Sequence, residues 1–207
     1  MKVKDRARPQ IPPVEPGVYI AVCVYSIDLG EQLCEFKDKT KSYINQVKLG
    51  FELIGETVEI DGKQEPRVLG RTLNFTRSKN GGLRKFVQSW LGKTFTDDEF
   101  NELDTNDLVG TPAQLSVVLN ESGDYANIDT IMQLPRGMAA PAPVSALVRY
   151  DMEPWDDVAF AALPDWAQEQ VKKSTQYQKF HVPTAPVDVD TSGGRGTAPE
   201  QKEENPI

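Results

Sequence analysis

Histidine is almost missing from this chain: His181 stands alone, in a polar stretch with no nucleophile or carboxylate cluster beside it. Imidazole-based catalysis and His-rich metal sites therefore have little to build on, and His181 reads as a tail residue. Cysteine is nearly as scarce. Cys23 and Cys34 fit no metal or redox spacing and read as free thiols in a reducing compartment. No apolar run approaches the roughly 18 residues of a membrane-crossing helix. The start, MKVKDRARPQIPP, lacks the apolar segment of a secretion signal. The expectation is a cytoplasmic protein without membrane contact. Gly81-Gly82 precedes a helical pattern, but without the lysine and spacing of a phosphate loop. The carboxylates from Asp97 to Asp107 do not follow a calcium-loop spacing. Neither a metal nor another cofactor is expected, and no enzyme is read from these residues.

One absence is local. Residues 66–96, PRVLGRTLNFTRSKNGGLRKFVQSWLGKTFT, contain no aspartate or glutamate in a chain whose 31 acids outnumber 23 Lys plus Arg, a formal charge of -8. The stretch carries Arg67, Arg71, Arg77, Lys79, Arg84, Lys85 and Lys93. An acidic protein with one purely cationic segment is compatible with a local basic face, since net charge does not fix its distribution.

The chain divides by pattern. Residues 1–13 read as a basic disordered arm. PGVYIAVCVYSIDLG, 16–30, is a β-rich run, followed by a charged loop over 31–42 with Lys37, Lys39 and Lys41. In SYINQVKLGFELI, 42–54, Val47, Leu49, Phe51 and Leu53 alternate with polar or small residues, the period of a strand with one wet face. IDGK marks a turn, and RVLGRTLNFTR, 67–77, is a third strand. The period then changes: Leu83, Phe86, Val87, Trp90 and Leu91 fall at helical spacing, placing Phe86 and Trp90 in the core and Arg84 and Lys85 on the exposed side, with Gly92 as the stop. Thr96 and Glu99 form a capping box for a short helix to about Leu103. Strands follow at 111–120 and 125–134, joined across the acidic turn Glu121–Asp124.

Five strands with a helix between the third and fourth give a mainly β fold, an OB-fold-like barrel over 14–134. A five-stranded open sheet with a packed helix fits the same pattern. Residues 135–154 read as a Pro/Ala-rich linker, 155–178 as short helices, and 179–207 as a disordered acidic tail. A barrel of this kind binds single strands with cations along the phosphates and aromatic faces under the bases. The candidates are Lys37, Lys39, Lys41, Lys48, Arg67, Arg71, Arg77, Lys79, Arg84 and Lys85, with Tyr43 and Phe75 as stacking residues. All of this assumes that these charges converge on one trough. The acidic turn before the fifth strand runs against a conventional binding mode. The tail end, with Glu203, Glu204, Pro206 and Ile207, reads as a docking tip in which carboxylates steer and one apolar side chain anchors.

PGVYIAVCVYSIDLGEQ (16–32), QVKLGFEL (46–53), LRKFVQSWLGKTFTDDEF (83–100), YANID (125–129) and LPDWAQEQVKKSTQYQ (163–178) resemble bacteriophage single-stranded DNA-binding proteins and a broader set of phage replication-region proteins. The resemblance implies a non-catalytic protein that coats exposed strands in replication or recombination inside the host cell. It also implies recruitment of replication or recombination proteins through the C-terminal tip, although Ile207 stands where that family commonly ends in an aromatic residue. The rival reading is a phage structural or adaptor protein whose barrel binds protein. Self-association is left open by the sequence.

Overall fold

The computed structural model describes residues 11–36, 38–76, 78–139 and 141–181. The basic arm up to residue 10 and the tail from residue 182 lie outside the described residues. In chain order the elements are β1 (Gly17–Glu35), β2 (Lys41–Ile60), β3 (Lys63–Asn74), α1 (Gly82–Leu91), α2 (Asp97–Asn101), a 3-10 turn (Thr105–Leu108), β4 (Pro112–Leu119), β5 (Ala126–Met132), β6 (Val148–Tyr150), α3 (Asp157–Ala161), α4 (Asp165–Val171) and α5 (Thr175–His181).

The protein is mainly β. Its sheet has the order β3–β2–β1–β4–β5, antiparallel throughout, and the short β6 pairs in parallel with β1 beyond the point where β4 leaves it. β1 and β2 are far longer than their sequence patterns. The charged loop expected over 31–42 is mostly strand, because Glu31–Glu35 pair with Lys41–Asn45 and only a tight turn remains. β2 and β3 join through Asp61 and Gly62, both at positive φ (50° and 79°), the backbone that a two-residue hairpin of native twist requires.

The sheet is not closed: among the described residues no ladder joins β3 to β5. The gap is spanned by a side chain. Arg71 on β3 donates through Nη1 to the carbonyls of Ile128 (2.5 Å) and Asp129 (3.2 Å) on β5. Its guanidinium lies 5.1 Å from the centre of the Phe86 ring. α1 seats beneath this seam. Its stripe Leu83, Phe86, Val87 and Trp90 is buried, as the helical spacing predicts. Phe51, Phe86 and Trp90 meet edge to face at 5.1–6.4 Å, the offset geometry that ring quadrupoles favour. The Trp90 indole N–H donates to the Pro112 carbonyl at 2.9 Å, so the largest core side chain leaves no polar atom unpaired. The capping box at α2 is present: Thr96 Oγ1 accepts from the Glu99 amide and the Glu99 carboxylate from the Thr96 amide.

β1 serves two cores. An extra residue between Cys23 and Tyr25 shifts its register against β2 and exchanges its faces. Ala21 and Cys23 point into the main core; Tyr25 and Ile27 point to the opposite, outer face. There Ile27 and Leu29 form a second core with Tyr150, Met152, Leu163, Ala167 and Val171. The span 135–154, expected as a linker, thus contains β6 and part of a core, and the short helices expected in 155–178 are α3, α4 and α5, of which α4 and α5 lie on β1. Polar ties reinforce the packing. Glu52, 3% exposed, accepts from the amides of Val144 (2.8 Å) and Ser145 (2.7 Å). Gln176 Oε1 accepts from the Glu31 amide at 2.8 Å.

Candidate nucleic-acid interface

Eight of the ten proposed cations lie among the described residues. Lys39 sits at positive φ in the β1–β2 turn, exposed. Lys41 lies opposite Glu35 on the hairpin, Nζ to Oε2 at 3.4 Å, and both side chains are more than half exposed. Such a pair contributes little to stability and costs little to open for a phosphate. Lys48 lies on the outer face of β2 with Nζ 4.4 Å from the centre of the Trp166 ring. Burial lowers its pKa, since desolvation disfavours the ammonium form. Arg67 donates to the Pro12 carbonyl. Lys79 pairs with Asp97 at 3.2 Å, Lys93 pairs with Glu99 at 2.8 Å, and Lys85 is exposed on α1. The bond from Lys93, ahead of those from Thr96, pulls the Glu99 carboxyl down to about 2. Lys37 and Arg77 lie outside the described residues, as do Glu203, Glu204, Pro206 and Ile207.

Arg84 corrects the helical-face reading. It is 4% exposed, not on the wet side of α1. Its guanidinium donates to Asp97 Oδ1 at 2.6 Å and to the Phe95 carbonyl, and covers the Phe100 ring at 5.2 Å. A buried guanidinium is tolerated where a carboxylate and a carbonyl replace its water. These contacts fold the 92–100 segment back onto α1. The eight described cations therefore do not line one trough: Arg67, Arg71 and Arg84 are engaged with the fold's own carbonyls, and Lys48 is covered by Trp166.

Both candidate stacking residues are exposed, Tyr43 at 55% and Phe75 at 40%. The β1–β2 hairpin brings them together with Leu33, exposed at 54%, whose Cα is paired with that of Tyr43. Phe75 follows β3 and donates its amide to the Asn45 carbonyl at 2.7 Å, one alternation along β2 from Tyr43. Phe36, also exposed, closes the turn through its backbone bonds with Lys39 and Thr40. Sequence reasoning missed Leu33 and Phe36. A charged loop gives no register, and only the pairing of Leu33 with Tyr43 puts them on one surface.

Below Phe75 opens a cleft of about 510 Å³ whose walls include Asp28, Glu102, Asp104, Asp151 and Glu153 beside Leu103 and Met152. Burial, then the charges of Asp151 and Glu153, raise the Asp28 pKa; burial and Asp104 raise that of Asp151. No set of His, Cys, Asp and Glu among the described residues is arranged to hold a metal ion. His181 stacks on Tyr177 with ring centres 4.2 Å apart, and the buried Cys23 thiol is pushed up to about 12, chiefly by burial. No described helix is long and apolar enough to cross a membrane.

What the arrangement offers chemically is an exposed apolar and aromatic row at the tip of a two-stranded projection, lysines along its turn, and a negatively charged wall at its base. Comparison with known proteins returns no match, whether to a family model, a curated protein or a solved structure.

Proposed function

We propose that this chain is a non-catalytic single-stranded DNA-binding protein of a bacteriophage. It coats exposed strands during replication or recombination in the host cytoplasm with little sequence preference. The observation that carries the reading is the strand order. β3–β2–β1–β4–β5, with α1 between β3 and β4 and seated under the β3–β5 seam, is the order of an OB-fold barrel opened at that one seam, which Arg71 bridges. Supporting it, the β1–β2 hairpin projects Lys39 and Lys41 beside exposed aromatic rings. Glu203, Glu204, Pro206 and Ile207 would meet replication or recombination proteins.

Because several cations serve the fold, binding rests on a small number of phosphate contacts. With about three or four phosphates neutralised, the logarithm of the association constant falls with the logarithm of salt at a slope of about -2 to -3. Fluorescence anisotropy of a labelled 30-nucleotide single strand across a salt series tests this. A flat response, or no binding at micromolar protein in low salt, refutes the reading.

A second reading, an adaptor that binds protein, is favoured by the cleft with five carboxylates, which attracts a basic peptide and repels phosphate. It expects capture of a basic protein partner together with no salt-sensitive DNA binding.

A further inference from the structure

The outer face of an OB-type sheet is where a single strand would first be sought, and in this chain that face is already covered along β2, while Gly70 and Thr72 on β3 stay exposed. Lys48, Gly50 and Glu52 alternate along the outer side of β2. Lys48 lies against Trp166 of α4, and Glu52 is held by the amides of Val144 and Ser145. Gly50 and its partner Gly70 on β3 lie under the Tyr25 ring, so closely that a Cβ at Gly50 would overlap it. Tyr25 in turn packs on Trp166 at 5.6 Å. The segment from Val144 to Val171 is anchored by buried Tyr150, Met152, Leu163, Ala167 and Val171, so it is part of the fold, not a loosely held strap.

The inner face behaves in the opposite way. Val47 and Leu73 point into the main core and are buried. Two residues further along the same faces, past the end of the core, Phe75 follows Leu73, and Asn45 then Tyr43 follow Val47. Leu33 lies directly across from Tyr43. The core-facing side of the sheet therefore continues into solvent as an uncovered row of two aromatic rings and one leucine. Diagonal neighbours on adjacent strands stand about 7–8 Å apart, within joint reach of aromatic side chains.

We infer that the single strand lies along this inner face of the β1–β2 hairpin, with Tyr43 and Phe75 as its base-stacking platforms, and not across the outer face of β2 and β3. The inference rests on the reading given under Proposed function. The occupant is a polynucleotide because the row joins aromatic faces to the turn lysines Lys39 and Lys41. The carboxylates of the cleft below Phe75 bar the phosphates from that end and keep them toward the turn.

The test is anisotropy with a 30-nucleotide single strand on Tyr43→Ala, Phe75→Ala and the outer-face variant Thr72→Glu, each checked for an unchanged melting temperature. Loss of a stacked base weakens binding about 5- to 150-fold, expected for each aromatic variant, while Thr72→Glu stays within twofold of wild type. Wild-type binding with unaltered affinity in both alanine variants overturns the inference and leaves the DNA-binding reading standing, as does a loss confined to Thr72→Glu. Absence of binding by the wild-type chain overturns both. A dimer in sedimentation that Tyr43→Ala dissociates, without change in DNA affinity, assigns the row to a second copy and overturns the inference.

Discussion

Replacing Arg71 by methionine keeps most of the side chain's length and removes only the guanidinium. Three things are lost: the bond to the Ile128 carbonyl, the bond to the Asp129 carbonyl, and the charge over the Phe86 ring. A hydrogen bond from a charged donor contributes about 1.5–3 kcal/mol where it is partly buried, as at Ile128. The bond at Asp129 is long and exposed and adds little. The cation over Phe86 adds about 0.5–1 kcal/mol. Discounting for solvent at the half-buried Arg71, the expected loss is about 2–3 kcal/mol. Among the described residues no backbone ladder backs up this seam, so the loss falls on the junction of β3 and β5. With a urea m-value of about 2–3 kcal/mol per molar, the unfolding midpoint drops by about 1 M. Arg71→Lys, which keeps the charge but cannot fork to two carbonyls, is expected between the two. Urea unfolding followed by circular dichroism measures all three proteins. A midpoint for Arg71→Met within 0.2 M (roughly the error of such extrapolations) of wild type would refute the claim that this side chain joins the two edges.

Other consequences are equally open to measurement. Trp90→Ala empties the centre of the Phe51–Phe86–Trp90 cluster and removes the indole's bond to the Pro112 carbonyl, an expected cost of about 3–5 kcal/mol in thermal or urea unfolding. Gly50→Ala places a methyl group against the Tyr25 ring and is expected to cost about 1–3 kcal/mol, with increased hydrogen exchange in 144–171 showing that the C-terminal segment lifts. At Glu52, burial favours the neutral acid, but the Ser145 hydroxyl bond and the Val144 and Ser145 amides outweigh it and leave the pKa below the usual 4.5. A folded-state pKa depressed in this way contributes stability above about pH 4.5 that is lost as pH falls through the lower folded value. Glu52→Gln should lack this acid-side loss, as unfolding midpoints measured at pH 7 and pH 4 will reveal.

Periodicity identified the parts of the fold that repeat over several residues: the helical stripe of α1, the alternation of β2, and the capping box at Thr96 are where the pattern predicts them. It could not find the continuation of β1 through 31–35. Glu31, Gln32, Glu35 and Lys41 look like solvent-exposed loop, and only the turn closed between Phe36 and Thr40 lets them pair. β6 escaped for a related reason: a three-residue strand exists only because β4 leaves β1's edge free at Tyr25–Ile27. The candidate site was legible in residue type and not in direction. Tyr43 and Phe75 are exposed on strands or at their ends, whereas helical spacing places Arg84 on the wet side of α1 and cannot foresee that Asp97 and the Phe95 carbonyl fold back to meet it. The cleft acids come from three separate segments, and nothing short of the fold brings them together.

The placement of the strand on the hairpin's inner face is most directly tested by tryptophan emission. Wild type carries buried Trp90 and, on the outer side, Trp155 and Trp166, the last 39% exposed over Lys48. A saturating single strand should leave its emission unchanged and quench the added signal of Tyr43→Trp, while duplex of the same length does neither. Quenching of the wild-type emission by single strand, with no further effect at position 43, would put the strand on the outer face and contradict the account.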